Sequence, residues 1–461
     1  MCHYLFHNIR YVSNKIFYKN LIITIDIYLV HMLDLYLTRY GGIVMDEKKS
    51  KGYSYKDLFT EKQFLKSVIA NTFGRLGDSI DSIAYAWMVY QITGSKTWLA
   101  IIWGVNTLPS ILFQPFAGAL IENLNQKRVI VFCDFSRGLI VFITGMLMLF
   151  NKITPIYLVA FTFINSTLES FRMPAGNAIL PRILSKDKYP HGIALKSTIS
   201  RFAELIGFGV AGFLIGAIGT GGAIIVDSVT FILCSIIMST IKFKEVKEKK
   251  VILNVKNYFS NLKDGFAYFK TKDILFTICI FGCIINVIIL PTNTLQAAYV
   301  SESLNLGAQA ISVAGVCMTV GMFLGTVIYP SISKYMSRRK IFNMSWIFMG
   351  LFYFSLVGMS YVSGDIAKYL FYGVTSILLG LLAATLNMIT TVLFMSSVDD
   401  DYIGRAGGIF NSLVSSSMPL ASFGIAAIAP FFSVNQIYSI FGILAIVVYL
   451  LCIKLKVLKN L

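Results

Sequence analysis

Long apolar runs separated by short polar stretches dominate the pattern along the chain. Twelve of these runs are long enough to cross a bilayer as a helix, which takes about 20 mainly apolar residues. They cover residues 64–92, 97–121, 128–150, 154–176, 194–218, 221–241, 273–297, 307–332, 341–361, 367–396, 405–429 and 433–453. Because the runs are continuously apolar rather than alternating in polarity, they favour helices over the strands of a closed barrel. We predict an all-α membrane protein with twelve transmembrane helices.

The composition of the 461-residue chain indicates the same class. It is 56% hydrophobic and 14% charged, with a mean hydropathy of +0.71, whereas soluble domains are about 45–50% apolar and about 25% charged. The seven cysteines lie mostly inside apolar runs, and the four histidines are scattered. The sequence therefore predicts no disulfide framework, no metal site and no cofactor, and it argues against an enzyme.

Lysine and arginine residues are concentrated in alternate loops. The loops after the second, fourth, sixth and eighth spans are basic, whereas the loops between them hold little more than Lys96, Lys152 and Lys368. Basic loops stay on the cytoplasmic side of a membrane. We therefore interpret the net charge of +17 as an orientation signal rather than a nucleic-acid surface. Both termini are expected on the cytoplasmic side of the plasma membrane.

Residues 1–63 are predicted to be a cytoplasmic segment that precedes the first span. The apolar run within 1–44 is interrupted by Asp26 and Asp34, which makes it a poor span, and it lacks the features of a signal peptide. We expect translation to begin at Met45, with 1–44 an upstream extension. The alternative is an amphipathic helix on the membrane surface.

A second cytoplasmic segment, 242–272, separates the sixth and seventh spans. Four of its apolar residues recur at helical spacing, with lysine and aspartate opposite, and predict an amphipathic helix on the inner surface: Phe259, Leu262, Phe266 and Phe269. This linker divides the chain into an N-terminal six-helix bundle (64–241) and a C-terminal one (273–455), followed by a short tail (456–461). Such division is common in transporters built from repeats.

Short motifs recur near the ends of the spans. They include Leu108-Pro109, Asp134-Phe135-Ser136-Arg137-Gly138, Ala178-Ile179-Leu180-Pro181-Arg182, Val226-Asp227-Ser228-Val229-Thr230-Phe231 and Gly404-Arg405-Ala406-Gly407. With these motifs the chain resembles the major facilitator superfamily, in particular the drug:proton antiporters that include macrolide-efflux and enterobactin-exporter proteins. The resemblance extends over 64–455. It implies two pseudo-symmetric six-helix bundles and alternating access at a central cavity lined by spans one, four, seven and ten.

The superfamily's loop motif between spans two and three is Gly-x-x-x-Asp-Arg-x-x-Arg-Arg, and this chain matches it in character. Asn123 replaces the usual arginine. A carboxylate near a helix N-terminus is stabilised by about 0.3–1 kcal/mol and can hold one half of the protein against the other. The resemblance implies a cytoplasmic gate formed by Gly118, Glu122, Lys127, Arg128, Asp134 and Arg137. The alternative is a simple basic anchor at the inner surface.

Ionisable residues inside the spans are concentrated in the first half. At 100° per residue, four residues of span one share a face: Arg75, Asp78, Asp81 and Tyr85. Three further pairs are spaced three apart on spans three, four and five, where they are neighbours: Asp134 and Arg137, Glu169 and Arg172, and Arg201 and Glu204. Ionisable groups within a bilayer usually face a cavity or a partner.

These charges allow two interpretations. In the structural one, Asp134–Arg137 and Arg201–Glu204 are paired charges near the cytoplasmic ends. In the functional one, a carboxylate in a dry cavity holds its proton more tightly and exchanges it during the cycle. We predict proton-coupling roles for three carboxylates, although a neighbouring arginine would weaken each case: Asp78, Asp81 and Glu169.

The expected substrate cavity combines charged, aromatic and amide groups, a mixture that suits amphiphilic organic compounds. Its predicted lining is Arg75, Tyr85, Asn165, Arg172, Asn286, Asn293, Gln296 and Asn387. The chain has no nucleotide-binding motif, so a gradient must drive transport. A proton crossing the membrane potential gains about 2.3 kcal/mol per 100 mV.

Taken together, these features predict a proton-driven exporter of amphiphilic, drug-like or macrolide-like compounds. A siderophore exporter or a lysophospholipid flippase on the same fold is the nearest alternative, and a transport-silent membrane sensor or scaffold is an alternative of another class. The expected partners are a small amphiphilic substrate, protons and the lipid bilayer, without nucleic acid. We expect a monomer.

Overall fold

A computed structural model describes residues 58–122, 124–242, 273–399 and 403–454, and the described chain is almost entirely helical. Eleven long helical runs are present: Lys62–Thr93 (α1), Lys96–Glu122 (α2), Gln126–Leu149 (α3), Pro155–Ile183 (α4), Tyr189–Ser239, Asp273–Thr294 (α7), Ala308–Tyr335 (α8), Arg338–Met359 (α9), Asp365–Ser397 (α10), Ile403–Ile428 (α11) and Val434–Lys454 (α12). The run Tyr189–Ser239 is broken at Gly219, whose φ is 75° and ψ is 168°. Its arms, 189–218 and 220–239, are α5 and α6. The prediction of twelve helices is confirmed.

Local sequence sets several helix ends. Gly219 adopts a positive φ, which glycine reaches without the penalty of a Cβ, so one residue reverses the chain between α5 and α6. Gly94 ends α1 with φ 55° and donates its N–H to the Tyr90 carbonyl oxygen, as left-handed glycines do at helix C-termini. Asn125 accepts a hydrogen bond from the Arg128 N–H at the start of α3, which is an N-cap.

Eight helical stretches of the described chain are long and apolar enough to span a membrane, among them 186–239, which contains both α5 and α6. The helix α1 is not among them, and it carries Arg75, Asp78 and Asp81 in its middle. These charged residues lower the mean hydropathy of α1, although the polar face that they form lies inside the protein. The chain is a multi-pass membrane protein.

The two halves repeat one pattern of helix pairing. In the first half α1 packs against α5 and α6, α2 against α4, and α3 against α6; in the second, α7 packs against α11, α8 against α10, and α9 against α12. Adding six to each helix number converts one set into the other, and the contact between α1 and α6 likewise has its counterpart between α7 and α12. This relation is the pseudo-symmetry expected for two six-helix bundles.

Small residues lie where these helices approach most closely. A Cβ at Gly207 would sit 2.7 Å from the carbonyl oxygen of Leu76 on α1, and Cβ atoms at Gly321 and Gly380 would overlap backbone atoms across the α8–α10 contact. Small side chains permit this approach between membrane helices. Close packing of this kind also occurs at Gly212 of α5, which packs against Ser312 of α8.

The halves meet at the end of the bundle that lies away from Lys62 and Lys454, called the outer end here. The contacts between α5 and α8 and between α2 and α11 lie there: the Gly212 N–H donates to Ser312 Oγ at 2.7 Å, and Ser422 Oγ donates to the Ala100 carbonyl oxygen at 2.7 Å. The outer end is thus closed by packing between the two halves.

Several predictions fall on residues outside the described chain. These are the segment 1–44 with its proposed start at Met45, the amphipathic helix within 242–272, the tail 456–461, and Asn123 of the loop motif. The boundaries of the two bundles stay predictions as well.

Candidate transport site

A cavity of about 740 Å³ lies between the halves, lined by residues of α1, α2, α3, α4, α7 and α11. Its polar lining includes Arg75, Asp78, Asp81, Tyr85, Asn106, Arg137, Asn165, Glu169, Asn293 and Asn411. Apolar groups such as Trp103, Phe161 and Met418 complete the wall. The volume falls within the range of about 300–1,000 Å³ typical of small-molecule pockets.

The polar face predicted for α1 does line this cavity. Arg75, Asp78, Asp81 and Tyr85 all contribute to the wall. The Tyr85 hydroxyl donates to the Leu158 carbonyl oxygen at 3.0 Å and lies 2.8 Å from Thr162 Oγ1. Tyr85 therefore joins α1 to α4 while its ring forms part of the cavity wall.

Arg137 on α3 is the centre of the charged wall. Its Nη2 lies 3.2 Å from Asp78 Oδ1, its Nη1 donates to Glu169, and its Nε donates to Asn165 Oδ1 at 3.1 Å. The guanidinium also lies over the ring of Phe231, 4.2 Å from the centroid, a favourable cation–π arrangement. One arginine thus holds a carboxylate of α1 and a carboxylate of α4.

The predicted pairing of Asp134 with Arg137 is wrong. Asp134 is fully buried and bonds instead to Arg172, whose Nε lies 2.7 Å from Asp134 Oδ1, while Cys234 Sγ donates to Oδ2 at 3.1 Å. Spacing along a helix made the two residues of α3 neighbours, but α4 offers each a closer partner across the helix contact. Arg137 accordingly lies in the cavity wall, and its role in a cytoplasmic gate stays a prediction.

Four residues predicted to line the cavity have other surroundings. Arg172 is held by Asp134; Asn286 donates to the Val414 carbonyl oxygen at 3.0 Å; Gln296 donates to the Tyr372 hydroxyl at 3.1 Å. Asn387 is exposed on α10, a helix that packs on α8 and contributes none of the residues that line the described cavity. Their assignment to the lining was wrong, whereas Arg75, Tyr85, Asn165 and Asn293 do line it.

The predicted cytoplasmic gate is described only in part. Lys127 donates from Nζ to the Ile241 carbonyl oxygen at 2.8 Å, a contact within the first half. Arg128 is exposed at the start of α3, and Gly118 and Glu122 lie in the last turns of α2. The predicted Arg201–Glu204 pair is present on α5, with Nη1 2.9 Å from Oε2 and Arg201 largely exposed.

Sequence reasoning missed part of the lining and one carboxylate behind it. Asn106 of α2, which accepts a hydrogen bond from Ser166 Oγ, and Asn411 of α11 both line the cavity. A single amide in an otherwise apolar span was the available signal for each. Asp227 of α6 was noted only as part of a motif, although it is fully buried.

Two carboxylates have oxygens without partners. Asp81 Oδ1 and Asp227 Oδ2 are buried and accept no hydrogen bond in the described chain. No group of three or more His, Cys, Asp or Glu residues that could hold a metal ion occurs among the described residues. The site is therefore a pocket whose acidic wall is only partly neutralised by arginine.

A twelve-helix membrane protein with a polar cavity between two pseudo-symmetric halves is a membrane transporter, and comparison with known proteins gives its family. The sequence matches the Major Facilitator Superfamily over residues 68–422, so the chain belongs to that superfamily. It is a transporter rather than an enzyme.

Individual relatives are distant. The chain is 21% identical over 387 residues to macrolide efflux protein A of Streptococcus pyogenes, covering 83% of this chain and 93% of that protein. It is 22% identical over 386 residues to the staphyloferrin A transporter of Staphylococcus aureus (strain NCTC 8325 / PS 47), covering 83% and 94%. The crystal structure of the nucleoside transporter NupG superposes with a TM-score of 0.67 at 12% identity, covering 86% of this chain and 100% of that chain.

Proposed function

We propose that this protein exports an amphiphilic organic compound by proton-coupled alternating access. The observation that carries the coupling is Asp81, which lines the cavity with a buried oxygen that no group bonds. An ionised carboxylate without a partner is disfavoured in a dry site, so Asp81 is suited to bind a proton in one state and release it in another.

The other two candidate carboxylates differ from Asp81. Asp78 is contacted by Arg75 at 3.7 Å and by Arg137 at 3.2 Å, and Glu169 shares the same Arg137. An opposite charge stabilises the ionised form of a carboxylate. The proposal therefore ranks Asp81 first, and it gives Asp78 and Glu169 the role of holding Arg137 between α1 and α4.

Two features support an amphiphilic cargo and outward transport. The wall sets apolar groups (Trp103, Phe161) beside amides (Asn106, Asn293) in one pocket, which suits a compound with both kinds of surface. The relatives include a macrolide efflux protein, and we extend its direction of transport to this chain. With the outer end closed, the described state is one that loads substrate from the cytoplasmic side of the plasma membrane.

Reconstitution into liposomes tests the proposal. A panel of a macrolide, a cationic dye, a siderophore and a lysolipid is offered to the full chain under an imposed pH gradient, and uphill movement of a compound with opposite proton movement is expected. Asp81→Asn should abolish uphill movement while leaving substrate counterflow, because counterflow needs rocking of the halves but no proton. Glu204→Gln, in the ion pair on α5 outside the cavity, is the matched control and should transport normally.

Three outcomes would contradict the proposal. Absence of flux for the whole panel would favour the sensor or scaffold interpretation. Uphill transport retained in Asp81→Asn would remove the proposed proton site. Transport confined to the siderophore would favour the alternative cargo, for which the similarity to a staphyloferrin A transporter gives specific support. We expect the protein to act as a monomer with both termini in the cytoplasm.

A further inference from the structure

Asp227 is a carboxylate of α6 that lies behind the cavity rather than in its wall. Its side chain is fully buried. Oδ1 accepts a hydrogen bond from Thr230 Oγ1 at 3.3 Å, whereas Oδ2 is buried without a hydrogen-bond partner. Burial of an ionised carboxylate without a bonded cation is strongly disfavoured. The position therefore requires either a bound proton or a bound cation.

The neighbouring helix brings further acidic groups to the same place. A Cβ at Gly77 of α1 would overlap both Asp227 Oδ1 and Thr230 Oγ1, so the backbone of α1 lies against the Asp227 carboxylate. Asp78 follows Gly77 directly, and Asp81 is about one turn further along. Asp81 and Asp78 of α1 and Arg137 of α3 are the charged groups that act on Asp227.

When the arginines around the cavity are paired with the carboxylates that they contact, two carboxylates remain without an arginine. Arg75 contacts Asp78, Arg137 contacts Asp78 and Glu169, and Arg172 contacts Asp134. These three arginines serve three carboxylates. Within the described chain, Asp81 and Asp227 are the carboxylates of this region without an arginine contact, and each has a buried oxygen without a hydrogen-bond partner. A proton on either one would convert an acceptor without a partner into a donor.

We propose that Asp227 is a second proton-binding carboxylate of this transporter, filled and emptied through Asp81. The inference rests on the proposed proton coupling. Asp81 lines the cavity and receives a proton from water there. The proton then passes from the carboxyl group of Asp81 to the carboxylate of Asp227, so that Asp81 becomes the anion and Asp227 the neutral acid. The reverse transfer empties Asp227 when the cavity opens to the other side, and no other bond changes.

This arrangement separates the proton from the cargo. A substrate in the cavity contacts Asp81 but not Asp227, so a proton held by Asp227 cannot be displaced by direct contact with the substrate. The pair can therefore keep a proton bound while the cavity is occupied. A single carboxylate in the cavity wall lacks this capacity.

Infrared difference spectroscopy tests the inference without any substrate. In the full chain in liposomes, we expect the carbonyl-stretch band of a protonated carboxylic acid at neutral pH. Asp227→Asn should remove the contribution of Asp227 to that band while retaining an acceptor for Thr230. Glu204→Gln is the control and should leave the band unchanged, since Glu204 is paired with Arg201 on α5 and does not line the cavity.

A band that is the same in Asp227→Asn as in the unmodified protein would overturn the inference, as would a band removed by added sodium or a divalent cation at constant pH. If Asp227→Asn does not fold, Asp81→Asn provides the test. Because Asp227 is filled and emptied through Asp81, its band should no longer follow a change of pH in this variant, and a band that responds as in the unmodified protein would overturn the inference. The two proposals fail separately. Loss of the Asp227 contribution to the band in Asp227→Asn, together with no proton-driven flux in the unmodified protein, would retain the proton site and remove the proposed function.

Discussion

The two halves of the protein share a pattern of helix pairing but differ in the polar groups they bury. The first half buries ionisable side chains, with Arg137 joined to Asp78 and Glu169. The second half instead buries a cluster of tyrosines, whose rings lie in successive contacts with centroids 5.1–5.8 Å apart: Tyr299, Tyr353, Tyr372 and Tyr438. The two halves therefore share one fold, but the first half buries ionisable side chains and the second half buries neutral aromatic ones.

The difference indicates a division of labour. The Tyr299 hydroxyl donates to the Leu356 carbonyl oxygen at 2.7 Å, and Tyr353 donates to that of Ile288, so these groups are bonded and neutral. Neutral hydroxyls bonded to carbonyl oxygens do not change charge as the halves rock, whereas carboxylates can. In our proposal the first half carries the coupling chemistry and the second half provides a rigid frame.

The largest effect on stability and transport is expected when Arg137, the central charge of the first half, is removed. Arg137→Gln leaves Asp78 and Glu169 without the cation between them, and removing one partner of a buried ion pair costs about 3–5 kcal/mol. We expect a large fall in the melting temperature of the purified protein and loss of transport. Arg201→Gln, which removes a largely exposed arginine, should change stability by no more than about 0.5 kcal/mol. Equal losses in the two variants would contradict the special role of the cavity wall.

A packing change in the neutral half should have the next largest effect. In Gly380→Ala the new methyl group would overlap the Met318 carbonyl oxygen across the α8–α10 contact, and overpacking costs about 1–3 kcal/mol. Thermal unfolding in detergent measures the loss. Gly176→Ala on α4 is the matched control, since nothing lies within 4 Å of its new Cβ. It should be neutral or stabilising by up to about 1 kcal/mol, and destabilisation there would show that the crossing is not the cause.

Removal of one tyrosine hydroxyl in each half tests whether the first half carries the coupling chemistry and the second half acts as a frame. Tyr353→Phe removes a buried hydrogen bond, worth about 0.5–1.5 kcal/mol, and should leave transport intact. Tyr85→Phe removes the hydroxyl that bonds Leu158 and Thr162 beside the cavity, so it should cost a similar amount and also slow transport. Parallel measurement of melting temperature and flux separates the two results. A Tyr353→Phe variant that is stable but inactive would refute the frame role of the second half.

How far the sequence predicts this arrangement depends on the kind of contact. Apolar runs and helical spacing gave the twelve helices and the shared face of Arg75, Asp78 and Asp81, because both follow from geometry within one helix. The ion-pair partners between different helices could not be predicted in this way. Arg137 bonds carboxylates of α1 and α4 rather than Asp134 on its own helix, and that depends on how each helix is rotated about its axis.

Two further failures have distinct causes. Asn387 was assigned to the cavity as one of several amides within the spans, but it is exposed on α10, which contributes none of the residues that line the described cavity. Asp227 was missed because a single carboxylate in an apolar run has no partner in the sequence to reveal it. Only the approach of α1 at Gly77 shows that this residue belongs beside Asp81.

The smallest effect on stability is expected at the outer end, where charge joins the two halves. Glu302, in the turn after α7, accepts a hydrogen bond from the Tyr90 hydroxyl at 2.8 Å and lies 3.9 Å from Lys96 Nζ. Partly exposed pairs contribute about 0.2–1 kcal/mol. In Glu302→Gln this contribution is lost only from the closed outer end, so the population open to the outside should rise by up to about fivefold.

Spin labels at Lys152 and Tyr361, which are exposed in outer-end loops of the first and second halves, would report this shift as a larger fraction of long distances. Glu204→Gln in the same labelled background should leave the distribution unchanged, because its ion pair lies within α5. A distribution unaltered by Glu302→Gln would mean that the contacts of α5 with α8 and of α2 with α11 hold the outer end closed without help from charge. The neutral packing between the halves, rather than their polar contrast, would then set the resting state.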